Sequence, residues 1–260
     1  SKEVDSYHKF WSNFGAVIKE GLYEFNDHHD KILPLLRFQT SESEDLISLD
    51  DYLKKMKSDQ KEIYYFANTD KDHIKNSPQL EGFIANKIPV LFMTDAVDEF
   101  WLQNIQKFKE KEFKSITKGK VDLSKLKKDS DKKDNINKNV TKINDLINVL
   151  KKELEAKISN VIISDRLTKS PILLVADETS MDINMEKLMK MHNKKTQDSK
   201  KILEINVDHP MIIKLSETLT KVDHKKLSNL LLDQANILDG NVLSNPTNYI
   251  ESLTDLFIKP

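Results

Sequence analysis

The side chains with a claim to chemistry in this chain are seven histidines, five glycines and a cluster of methionines, and spacing tests each of them. His28 and His29 are adjacent, so they point to different faces of any regular element, and H-E-x-x-H does not occur. Gly15, Gly21, Gly82, Gly119 and Gly240 fit neither G-x-G-x-x-G nor G-x-x-x-x-G-K-[ST], so no backbone cradle for a phosphate chain is encoded. A G-x-S-x-G elbow is absent as well, and with zero cysteines there is no thiol nucleophile, thiolate metal ligand or disulfide. The expectation is a chain with no catalytic, cofactor-binding or metal-binding residues of its own.

Adaptable apolar surface is the chemistry that remains. Met181 to Met191 holds four of the seven methionines, with Met181, Met185, Leu188 and Met189 on one helical face. Unbranched thioether chains fit many apolar partners, so this helix reads as a binding face; the other reading is a core helix. The polar run from His192 to Lys200 would leave its end loosely tethered. Phe100 and Trp101 follow Asp98 and Glu99 at a helix start, where the acids suit the dipole and two adjacent rings cannot both face inward. One of the two is expected at the surface.

Near the C-terminus Leu227, Leu230, Leu231, Leu232, Ala235, Ile237 and Leu238 cover more than one helical stripe. After Asn245 as cap and Pro246 come Tyr249, Ile250, Leu253, Leu256 and Phe257. A hairpin of two such helices hides one face of each, and a twofold copy would hide the rest in a four-helix interface. The competing arrangement packs both helices on their own domain.

These residues need elements to position them. At 260 residues the chain can bury a core without staples and divides into two domains. Its 41 basic and 42 acidic residues leave a net charge of -1, and only Arg37 and Arg166 are arginines. Neither a basic field nor the arginine fork used to read nucleic acid is present, and no apolar run reaches the roughly 18 residues of a membrane span. The opening Ser1-Lys2-Glu3-Val4-Asp5 has no initiator Met or apolar leader, so the chain is expected to be part of a longer protein. Residues 126–138 read as a charged linker between a first domain, 1–125, and a second, 139–260.

In the first domain, helical patterns precede a small α/β subdomain. Ser48 with Asp51 predicts a helix start, and Ser77 with Pro78 another. Ile63–Phe66, Val90–Met93 and Phe113–Ile116 read as strands, with a helix from Ala96 to Phe108, and the alternation predicts a parallel sheet. In the second domain Val140, Ile143, Ile147, Leu150 and Leu154 form a helical stripe. Val161–Ser164 and Pro171–Ala176 read as strands, and the rest as helix, with Asp208 as a cap before Pro210. The second domain is therefore expected to be mostly helical α+β.

Phe14-Gly15 with Lys19-Glu20-Gly21, Leu35-Leu36-Arg37-Phe38, Ser48-Leu49-Asp50-Asp51-Tyr52, Ile63-Tyr64-Tyr65, Ser77-Pro78 and Asp98-Glu99 together resemble the middle segment of the ninety-kilodalton heat-shock chaperones. Arg166-Leu167, Ser170-Pro171, Asn184-Met185-Glu186, Leu203-Glu204-Ile205-Asn206 and Asp208-His209 resemble their C-terminal domain, in order and over nearly the whole chain. The pattern is similar to the bacterial, HtpG-type branch. The resemblance implies a cytoplasmic stress-response chaperone whose full-length form binds ATP and magnesium in a nucleotide-binding domain outside this chain. This chain would supply homodimerisation and contact with partly unfolded clients.

By the same resemblance, Glu99 and Phe100, with Trp101 beside them, match a client-contacting pair, and Met185, Leu188 and Met189 match a client-binding helix. Leu227, Leu230, Leu231, Leu232, Leu238, Ile250, Leu253 and Phe257 match the dimer helices. Two departures stand out: Phe100 sits where relatives carry Trp, and Asn86 to Pro89 lacks the family's glycine. The alternative from another class is an α/β small-molecule enzyme with a helical oligomerisation tail, binding substrate at the strand C-termini.

Overall fold

The computed structural model describes residues 2–24, 28–123, 140–192 and 199–258, so the expected linker at 126–138 lies outside the described residues. In chain order the elements begin with α1 (Lys2–Glu24), α2 (His29–Ile32), β1 (Gln39–Thr40), α3 (Leu49–Lys55), β2 (Glu62–Ala67), α4 (Lys71–Asn76) and α5 (Glu81–Ala85). They continue with β3 (Leu91–Met93), α6 (Asp98–Asn104), β4 (Lys107–Phe108), β5 (Lys111–Ser115), α7 (Val140–Glu153), β6 (Ile158–Ile163) and β7 (Ile172–Val175). The last are α8 (Ile183–Met191), β8 (Lys201–Ile205), α9 (Pro210–Thr218), α10 (His224–Leu238) and α11 (Pro246–Ile258). The chain forms two compact units: the first is Ser1–Asn76, Phe83–Ile116 and Asp182–Thr196, the second Ser77–Gly82, Thr117–Met181 and Gln197–Pro260.

The first unit is built on a five-stranded sheet of order β1-β3-β2-β5-β4. As expected for an α/β alternation, β3, β2 and β5 are parallel, with Phe66 opposite Phe92 and Ile63 opposite Phe113. Two short antiparallel strands at the edges were not foreseen. β4 occupies part of the stretch expected to be helical to Phe108: Lys109 adopts φ 52° and turns the chain back, so β4 pairs with β5 and buries Phe108. The turn that lacks the family's glycine likewise carries Lys87 at φ 52°, in the left-handed region glycine favours.

Helix α3 starts where its sequence says. The Ser48 hydroxyl accepts from the Asp51 amide at 3.1 Å and donates to the Asp51 carboxylate at 2.7 Å. Together with Lys54, these bonds pull the Asp51 carboxyl down to about 2. The core joins Trp11 and Leu22 of α1, Leu49 and Tyr52 of α3, Ile63 of β2 and Trp101 of α6. Inside it the Tyr52 hydroxyl donates to Pro89 O at 2.8 Å and accepts from Gln60 Nε2 and the Tyr64 amide, both at 3.0 Å. That phenol is satisfied on every side, as a buried polar group must be.

The second unit holds a three-stranded sheet of order β6-β8-β7, with β8 parallel to β6 and antiparallel to β7. The stretch after Met181, expected to be mostly helical, also supplies the central strand β8, which was not singled out. Its polar residue Glu204, next to last in the strand, disguises the run, because its carboxylate is buried against Arg166. Helix α9 is capped by His209, whose Nδ1 accepts from the Met211 amide at 3.1 Å, and not by Asp208. Leu146, Leu150, Leu203, Leu227 and Leu231 meet in one core, as the α7 stripe predicted.

Arg166 is the polar centre of this unit, 1% exposed. Its guanidinium donates to Glu204 Oε1 at 3.0 Å, to Gly119 O at 3.0 Å and to Gln79 Oε1 at 3.2 Å. Gln79 in turn donates to Leu174 O at 2.7 Å, and Ser164 Oγ donates to Glu204 Oε2 at 2.6 Å. Gly82 has no room for a side chain, since a Cβ would stand 2.6 Å from Arg166 O. Beside it the Glu81 carboxylate accepts the amides of Thr168, Lys169 and Ser170 and the Ser170 hydroxyl. Burial pushes that acid up, but the bonds outweigh it and hold it below its ordinary range.

Candidate functional site

The expected client-contacting residues fall on α6 and α8, both in the first unit. The entry to α6 is fixed by charge. Lys19 of α1 reaches Asp95 Oδ2 and Asp98 Oδ2, each at 2.8 Å, and its side chain is 3% exposed. Asp98 Oδ2 also accepts the Asp95 amide at 3.1 Å, and its Oδ1 accepts the Trp101 indole N–H at 2.8 Å. Burial raises the Asp98 carboxyl above its ordinary range although Lys19 and these bonds oppose it.

The same bond decides between the two rings. Trp101 is 0% exposed and meets Phe113 in a T-shaped contact at 5.5 Å, so its ring lies in the core. Phe100 is half-buried, its ring meeting Tyr23 of α1 edge-on at 5.9 Å. The sequence shows Asp98 three residues before Trp101 but not that it is buried.

Helix α8 is set by its cap: the Asp182 side chain accepts the Asn184 amide, and Ser115 Oγ donates to the Asp182 carboxylate. Asn68 Nδ2 donates to Asn184 Oδ1 at 2.9 Å, tying the helix to the end of β2. Met185 is buried, on the core side of its helix. Leu188 and Met189 are half-buried, whereas Met181 and Met191 are exposed, Met191 at 80%. The four residues read as one face thus run from buried Met185 to exposed Met181.

A small pocket of roughly 60 Å³ lies between α6 and α8, lined by Asn68, Glu99, Asn184, Lys187, Leu188 and Met191 among others. It brings Glu99 and Leu188 together and leaves out Phe100. Met191, Lys187 and Asn184 were not singled out one by one, because the sequence cannot show which turn of α8 meets α6. Glu99 Oε1 is shielded from solvent without a hydrogen-bond partner. Burial, then Asp182 and Asp98, hold its carboxyl well above the ordinary carboxylate range.

The residues matched to dimer helices divide in two. Leu227, Leu230, Leu231 and Leu232 are buried within the second unit, because α10 packs against both α7 and β7. Leu253 is half-buried, Leu238 and Ile250 are exposed, and the Phe257 side chain lies outside the described residues. Ile237, Val242 and Ile258 are exposed beside them. Lys226 of α10 pairs with Asp255 of α11 across the hairpin.

The family described as Hsp90 protein matches residues 1–259. Chaperone protein HtpG of Roseobacter denitrificans is 42% identical over 260 residues, covering 97% of this chain and 42% of that protein. The proteins of the same name from Wolbachia pipientis wMel and Ruthia magnifica are 36% and 39% identical, over 99% and 97% of this chain. The chain spans about two-fifths of the length of these curated relatives.

Proposed function

We propose, from the premise that this chain belongs to the Hsp90 family, that it is the part of a chaperone that joins two copies and presents an adaptable surface to partly unfolded proteins. The observation that carries the pairing is apolar surface left over at the end of the second unit: Val242 is 95% exposed, Ile258 68% and Ile250 57%. Each such side chain gains roughly 1.5–3 kcal/mol when buried, so a twofold copy of the hairpin is an effective cover. Joining two copies raises the effective concentration of their arms to about the millimolar range, which makes weak contacts with a client usable. In this reading ATP and magnesium bind to the parent protein outside this chain, which has no turnover of its own, and the parent works in the cytoplasm. Among the described residues no helix is long and apolar enough to cross a membrane. The small-molecule enzyme reading gains nothing from the family match.

Light scattering at micromolar concentration is expected to give twice the chain mass of 30.1 kDa. Replacing Ile250 and Leu238 with glutamate is expected to halve it without loss of helical signal. A wild-type chain that scatters as one copy ends the pairing hypothesis.

For the client surface, half-buried Phe100 and exposed Met191 are the residues to change. Phe100→Ser and Met191→Ser are each expected to weaken binding of an unfolded protein about three- to tenfold. The Met191 variant should keep its melting temperature, since that side chain packs on little. Unchanged affinity in both variants would remove the surface from consideration.

A further inference from the structure

We propose that the second unit binds a medium-chain monocarboxylate, a short fatty acid, in a pocket at the open end of the α10–α11 hairpin. The pocket has a volume of roughly 240 Å³, and the buried Ser252 of α11 is part of its lining. That serine is 4% exposed, yet its hydroxyl has no hydrogen-bond partner among the described residues. A helical hydroxyl can turn back onto the carbonyl one turn earlier, as Thr254 of the same helix does onto Ile250 O at 2.8 Å. Ser252 does not. A buried polar group without a partner is uncommon in native proteins and marks a place where a partner is missing.

The charges of the pocket select the head group. Its two acids are engaged: Asp255 pairs with Lys226, and Asp223 Oδ1 accepts the Lys226 amide at 2.9 Å as the cap of α10. Lys221 also lines the pocket and forms no ion pair among the described residues. One ammonium and one hydroxyl are therefore left over, both donors. A carboxylate has two acceptor oxygens to offer them, and charge-assisted bonds are about twice as strong as neutral ones. The rest of the lining is apolar, Val222, Leu227 and Leu230, and suits an acyl chain. At the roughly 30 Å³ that a water occupies in the liquid, the volume holds about eight groups of that size, which sets a chain of medium length. Val242, Ile250 and Ile258, the exposed side chains assigned to pairing, are not among the lining residues, so the site does not draw on that face.

The probe is sodium octanoate, titrated into the full chain and followed by ligand-detected NMR, with octylammonium and octanol as comparisons of equal chain length. Octanoate is expected to bind with a Kd of about 0.1–1 mM, the range open to so small a molecule. It should bind at least about fivefold more tightly than either comparison, because only its head group meets both donors. Lys221→Met and Ser252→Ala are each expected to weaken octanoate about three- to tenfold, to change octanol less than about twofold, and to keep the wild-type melting temperature. No octanoate binding up to about 5 mM overturns the proposal, as does octanol binding as tightly as octanoate. Octanoate affinity that survives both substitutions overturns it too, since the molecule then sits elsewhere. If octanoate binds the chain carrying Ile250→Glu and Leu238→Glu but not wild type, a second copy fills the pocket and the assignment is lost.

Discussion

Arg166→Met is expected to lower stability by about 3–5 kcal/mol, measured by urea unfolding followed by circular dichroism. The cost comes from what is left behind. Glu204 is 2% exposed, and without the guanidinium its carboxylate keeps, among the described residues, the Ser164 hydroxyl alone, while Gly119 O and Gln79 Oε1 lose a donor. Arg166→Lys is expected to recover little, because an ammonium cannot span three acceptors in the plane of a fork. Replacing both partners, Arg166→Met with Glu204→Leu, should be much less damaging than either change alone, since no buried charge is then stranded. A single-variant loss under about 1 kcal/mol would mean that water reaches the pair.

The second large effect is expected at Lys19→Met, again about 3–5 kcal/mol, read by the fluorescence of Trp11 and Trp101 in the core of the first unit. The variant leaves Asp95 and the fully buried Asp98 facing each other without their cation. Its pH dependence gives a separate check. The Asp98 carboxyl is already raised by burial, so its protonated form contributes stability that is present at low pH and lost as pH rises through the folded value. Removing Lys19 raises that value further, so the deficit against wild type should be greatest at neutral pH and shrink on acidification. A deficit that grows toward acid would show that Lys19 has another role.

Where local pattern and tertiary packing agree, the sequence is a reliable guide. Ser48 and Asp51 specify a helix start that needs nothing from outside, and the spacing from Val140 to Leu154 marks the face of α7 that enters the core. Where a residue's meaning depends on a distant partner, the pattern misleads. Glu204 reads as a break in an apolar run until Arg166 meets it, 38 residues away in sequence. The leucines of α10 look like a surplus until α7 and β7 take up both sides of the helix. Adjacent Phe100 and Trp101 were rightly read as one in and one out, but only the bond from the Trp101 indole to Asp98 fixes which. Glu99 looks like an ordinary surface acid by type, and only burial, with Asp182 and Asp98 nearby, raises its carboxyl well above the usual range.

The composition of the first unit bears on how the protein is made. Its sheet is complete at Ser115, yet α8, which supplies the Asp182 cap bonded to Ser115 and the Asn184 amide bonded to Asn68, ends only at Met191. A ribosome adding 5–20 residues per second takes roughly four to fifteen seconds to cover that interval. For that time the nascent sheet stands without its last helix, the side of Tyr65 and Glu99 open to solvent. The first unit thus passes through an unfinished stage of its own, and any shortened version ending before Met191 would be held there.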